Sequence, residues 1–144
     1  MALCLSLVLL VVLAIMQCSL AVYTEHFVES AALSGVRYAT VRGSTYSDTA
    51  CATAATYQCE AGVAGILTYI QSNAAPGIVA SKISVTASWP GTTGGGASCD
   101  TAQGNDGPGC VVTVSVSYPF TFMLPASLHK SITFRASRSS VISQ

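Results

Sequence analysis

The sequence predicts an α+β fold in which a long N-terminal helix and a second helix lie on a small antiparallel β-sheet. Three observations predict it. Residues 1–42 hold no proline and open with an uncharged apolar run. Residues 60–73 carry an apolar stripe at helical spacing, and three later stretches alternate apolar with polar side chains.

The apolar run comes first. No side chain from Met1 to Val22 is charged. At the helical rise this stretch spans about 33 Å, close to the roughly 30 Å hydrocarbon core of a bilayer. Residues 1–22 therefore read as a transmembrane segment, and residues 23–144 as a separate α+β domain. A cleaved signal peptide competes, because Ser19-Leu20-Ala21 offers the small residues that signal peptidase needs. Against it, no Lys or Arg precedes the run, which exceeds the usual apolar core of roughly 7–15 residues.

The helix is expected to continue through YTEHFVESAALSGVRYATVRG and to stop at Gly43-Ser44. Tyr23, Phe27, Ala31, Gly35 and Tyr38 recur at helical spacing and are expected to form its inward face. Ala31, Gly35 and Ala39 make a row of small residues, which lets another surface come close. That surface is either a partner helix or the chain's own sheet.

Composition narrows the function. Charged residues are only 8% and the net charge is zero. There is no basic surplus to neutralise phosphates, so no nucleic-acid partner is expected. Of the six cysteines, Cys4 and Cys18 lie in the apolar run and read as small apolar residues. Cys51, Cys59, Cys99 and Cys110 form an even set in loop-rich sequence, which suggests two disulfides in an oxidising compartment. Three pairings are possible, and the local one, Cys51–Cys59 with Cys99–Cys110, is the expected choice. A straight helix would hold Cys51 and Cys59 about 12 Å apart, so that bridge requires a bend.

Along the rest of the chain, Val63, Ile66, Leu67 and Ile70 give the stripe of a second helix over residues 60–73, ended by Pro76-Gly77. Lys82 to Trp89 reads as a strand with Ile83, Val85, Ala87 and Trp89 on one side. Residues 90–109 hold seven of the twelve glycines and read as a long loop. Cys110 to Tyr118 is the next strand, with Val112, Val114, Val116 and Tyr118 sharing a face and Pro119 expected to end it. Ser131 to Ser137 is the third, with Ile132, Phe134 and Ala136 inward and Val141 to Gln144 as an extension.

This order of elements resembles the TadE-like family of pilin-like proteins of the Tad (Flp) pilus system. The carrying stretches are the apolar helix running into AALSGVRYATVRG at 31–43, VTVSVSYPF at 112–120 and SVISQ at 140–144. The first is similar to the family's AAREGARYAAVRG pattern. The resemblance implies a minor pilin or pseudopilin, anchored by one pass in the bacterial inner membrane, with its C-terminal domain in the periplasm or beyond. Its implied partners are membrane lipid, other Tad pilins and inner-membrane assembly components. Family members carry a basic leader and a glutamate before the apolar run, which this sequence does not show. MALCLSL is similar to the residues that follow that glutamate, so the orienting charges are expected upstream of Met1.

No enzymatic constellation is evident: the sequence has two histidines and no GxSxG, P-loop or HExxH pattern. Glu25, His26 and Glu29 share a helical turn but read as solvated groups, and no metal or other cofactor is expected. Asp100, Asn105 and Asp106 lie among glycines, but their spacing fits no EF-hand loop. The alternative to a pilus component is a membrane-anchored, extracytoplasmic binding module that uses the Gly-rich loop 90–109.

Overall fold

The computed structural model describes residues 2–43, 46, 61–99, 106–122 and 131–143. It is an α+β structure. Helix α1 runs unbroken from Ala2 to Val41, 40 residues, and α2 spans Val63–Ser72. Strands β1 (Ser84–Ser88), β2 (Val111–Thr121) and β3 (Ser131–Val141) follow.

The sheet is antiparallel in the order β1-β2-β3, with the longest strands paired from Val111↔Val141 to Thr121↔Ser131. Along β2, burial alternates strictly: Val112, Val114 and Val116 are fully buried and Tyr118 nearly so. These side chains point at α1 and α2, which together cover one face of the sheet. On the opposite face stand Ser84, Thr86, Ser88, Ser115, Ser117, Arg135, Ser137 and Ser139, nearly all small and hydroxylated. A two-layer arrangement of this kind gives each element one apolar side to bury and one to leave in water.

The inward face of α1 differs from the expected one. Thr24, Val28, Ala31, Ala32, Val36 and Ala39 are buried, whereas Tyr23 is 43% exposed and Phe27 and Tyr38 lie at the margin. The face is turned by roughly a quarter of a revolution. Thr24 permits this, because its hydroxyl donates to the Leu20 carbonyl at 2.8 Å and so enters the core satisfied. Thr40 does the same with the Val36 carbonyl at 2.6 Å.

Other boundaries shift for local reasons. Helix α2 starts at Val63 behind Gly62, which offers no side-chain cap, and Glu60 lies outside the described residues. Ala80–Lys82 forms a short 3-10 turn, so β1 begins at Ser84, although Ile83 is buried as expected. Pro119 does not end β2; it pairs with Thr133. β1 reaches only as far as Ser117, so Pro119 sits where β2 has a single partner strand, and its missing N–H is tolerated there. β3 runs on to Val141, while Ile132 near its start keeps the inward side of the strand, opposite Phe120, but is 43% exposed.

The C-terminal end closes the domain against α1. Ile142 is buried, and its N–H donates to the Cys110 carbonyl at 2.7 Å. The Ser143 N–H and hydroxyl both donate to the Thr40 carbonyl, at 3.2 and 3.3 Å. That carbonyl belongs to the last turn of α1, where helical partners run out.

Candidate functional site

Helix α1 is the element that the rest of the chain serves, and it has two unlike halves. From Leu5 to Leu20 the large apolar side chains are exposed all round, among them Leu9, Leu13 and Met16. It is long and apolar enough to cross a membrane, and its most apolar stretch is not buried. From Thr24 onward the helix becomes part of the domain core. A chain with so much apolar surface on one half of a helix needs a non-aqueous partner for it.

The row of small residues faces this chain's own core. Ala31 and Ala39 are buried, and a Cβ built on Gly35 would lie 3.0 Å from Ile70 Cδ1, 3.2 Å from Ile66 Cγ2 and 3.3 Å from Val114 Cγ1. Gly35 thus marks a point where α1, α2 and β2 come together closely. The absent side chain lets all three elements touch.

The cap of α1 is built from rings and a guanidinium. Arg42 Cζ lies 4.5 Å from the Tyr38 ring centroid and 5.4 Å from that of Tyr46. Arg42 Nη1 also donates to the Tyr38 hydroxyl at 2.8 Å. Tyr38 in turn stacks on Tyr69 of α2, with centroids 4.5 Å apart. The guanidinium is therefore held over aromatic faces, where its positive charge is attracted. The i, i+4 spacing of Tyr38 and Arg42 was available in the sequence as a signal. Tyr69 carries no such signal, because its place depends on how α2 packs.

At the other end of the domain, two tyrosine hydroxyls fix the turn before β1. The Tyr23 hydroxyl donates to the Pro76 carbonyl at 3.1 Å, and the Val79 N–H donates to the Tyr118 hydroxyl at 3.2 Å. A groove of about 260 Å³ remains between this turn, the end of β2 and helix residues Gln17 to Thr24.

Cys99 and Cys110 form a disulfide with Cα atoms 5.9 Å apart, while Cys51 and Cys59 lie outside the described residues. The bridge fastens the Gly-rich segment to the start of β2. Replacing Cys99 with Ser is expected to cost about 2–3 kcal/mol, since the bridge closes a short loop in the unfolded chain. Urea unfolding of the detergent-solubilised chain checks this: the midpoint drops in Cys99→Ser and in reduced wild type alike. Cys4 and Cys18 are free and exposed.

Glu25 and His26 are exposed on α1, and Glu29 lies 4.0 Å from Arg138 of β3. Both partners of that pair are about half in water (52% and 49% exposed), where such pairs contribute little. Among the described residues no three His, Cys, Asp or Glu side chains come together in a way that could hold a metal. Asp106 is buried, and Asp100 and Asn105 lie outside the described residues.

Compared with known proteins, residues 1–37 match the family model described as TadE-like protein, the family that the sequence resembles. The matched segment takes in the exposed apolar half of α1 and the buried row as far as Arg37. No curated protein and no solved structure matches the chain.

Proposed function

We propose that this chain is a minor pilin or pseudopilin of a Tad-type pilus assembly system, held by one pass in the bacterial inner membrane. One observation carries the reading. A single unbroken helix, Ala2–Val41, is apolar and exposed in its first half and is the spine of an α+β domain in its second. This is the build expected of a subunit that waits in a membrane and joins others through its helix. The TadE-like match over residues 1–37 supports the same reading.

Residues 23–144 then lie outside the cytoplasm, in the periplasm or on the pilus. The Cys99–Cys110 disulfide supports an oxidising compartment. The role is structural and not catalytic. Partners are other Tad pilins and inner-membrane assembly components. They meet the exposed half of α1, because Ala31, Gly35 and Ala39 are occupied by the chain's own core.

Deletion of the gene in its host tests the proposal. Tad pili counted by electron microscopy should disappear, and should return when the wild-type chain is supplied in trans. Normal piliation without the chain would refute the role.

A further inference from the structure

We infer that the groove at the base of the domain holds part of a phospholipid from the leaflet that the domain faces, with the lipid phosphate on Lys82. The inference rests on the membrane-anchored reading above.

Depth is the first argument. One wall of the groove is α1 from Gln17 to Thr24. Glu25 is the first charged residue of the chain. The wall is therefore the last two turns before the helix must leave hydrocarbon. The opposite wall stands at the same level, because the Tyr23–Pro76 hydrogen bond ties the turn to the helix. When residues 1–22 span a bilayer, the turn and the end of β2 rest in the headgroup region.

Surface chemistry is the second argument. Leu20 and Val79 line the groove and are about half exposed, at 50% and 48%. Phe120 lines it too and meets Phe122 edge to face at 5.0 Å. Tyr23 completes an aromatic rim of the kind that sits at membrane interfaces. Leu20, Tyr23 and Val79 are exposed and Phe120 half-buried in water, and all find an apolar partner beside acyl chains.

Charge and size name the occupant. Lys82 is exposed on the groove, where an ammonium at headgroup level attracts a lipid phosphate. At about 260 Å³ the groove is smaller than most small-molecule sites, which run from roughly 300 to 1,000 Å³. It suits one end of a molecule whose remainder stays in the bilayer. Two tyrosine hydroxyls hold the turn in place, so the groove is formed before anything enters it.

The full chain carrying a photoreactive benzoylphenylalanine at Val79 tests this, in vesicles of phosphatidylethanolamine and phosphatidylglycerol. A second chain carries the probe at Thr86, on the outer face of the sheet. Illumination should attach phospholipid at position 79 and little at 86. Adding Lys82→Ala should lower the yield at 79 with phosphatidylglycerol about fivefold, the weight of one cation near an anionic surface. Equal labelling at 79 and 86, or attachment at 79 only to a second copy of the chain, would overturn the groove. An unchanged yield in Lys82→Ala would overturn the assignment of the phosphate. Carbonate extraction of the same vesicles separates the two readings. A chain that resists extraction yet takes no lipid at 79 sinks the groove alone, whereas a chain released by carbonate sinks the anchor as well.

Discussion

Replacing Gly35 with Leu is expected to destabilise the domain by about 1–3 kcal/mol or more. Two effects oppose one another at this position. Any side chain gains helix propensity over glycine, by about 1 kcal/mol at most. Against that, a bare Cβ already lies 3.0–3.3 Å from Ile70, Ile66 and Val114. Each added carbon must displace α2 or β2, and overpacking of this kind costs about 1–3 kcal/mol, occasionally more. Alanine should be nearly neutral, because Ile70 Cδ1 is the end of a flexible side chain and can yield. Leucine should be degraded in cells and protease-sensitive when purified in detergent. A Gly35→Leu chain as stable and protease-resistant as wild type would mean that α1 does not pack on Val114 as described.

Val116→Asp should do more damage still, and its neighbour should do none. Val116 is fully buried at the centre of β2, among apolar core side chains. An uncompensated charge or a forced protonation there should cost about 3 kcal/mol or more. Ser117 points the other way and stands opposite Arg135 in the register. Ser117→Asp should therefore stay within about 0.5 kcal/mol of wild type. Urea unfolding of both variants reads the pleat of β2 directly. Equal losses would contradict the alternation that places this strand between helices and water.

That alternation was legible in the sequence, and so was much else. Val112, Val114, Val116 and Tyr118 follow a period of two without interruption, so the face of β2 could hardly be misread. The uncharged length of residues 1–22 and the absence of proline before Pro76 foretold one long helix. The local pairing of Cys99 with Cys110 was likewise the expected one. The inward face of α1 was not legible, because two rows compete on it. Tyr23, Phe27, Ala31, Gly35 and Tyr38 form one, and Thr24, Val28, Ala32, Val36 and Ala39 form the other. Only the structure reveals that Thr24 hides its hydroxyl on Leu20 and can be buried.

Pro119 was misread for a related reason. A proline ends a strand only if its N–H is needed, and that depends on how far β1 reaches. The tyrosine contacts at both ends of the domain were out of reach as well. Tyr23 meets Pro76 and Tyr38 meets Tyr69 across long sequence separations. Spacing along one helix cannot announce such partners. Gly35 is the instructive middle case. Its place in a row of small residues announced a close approach, but the approaching surface, α2 and β2 of the same chain, was fixed only by the fold.

The central claim is that one helix passes from lipid into the core of its own domain without a break. Nitroxide labels placed singly at Leu5, Leu9, Leu13, Met16, Leu20, Glu25, Ser30, Leu33 and Arg37 test it most directly. All nine side chains are exposed in the structure, so labelling should disturb no packing. In bilayers, collision with oxygen should exceed collision with a water-soluble nickel complex from Leu5 to Met16. The order should reverse between Leu20 and Glu25 and stay reversed to Arg37. Ready access of the nickel complex to Leu9 and Leu13 would contradict the account.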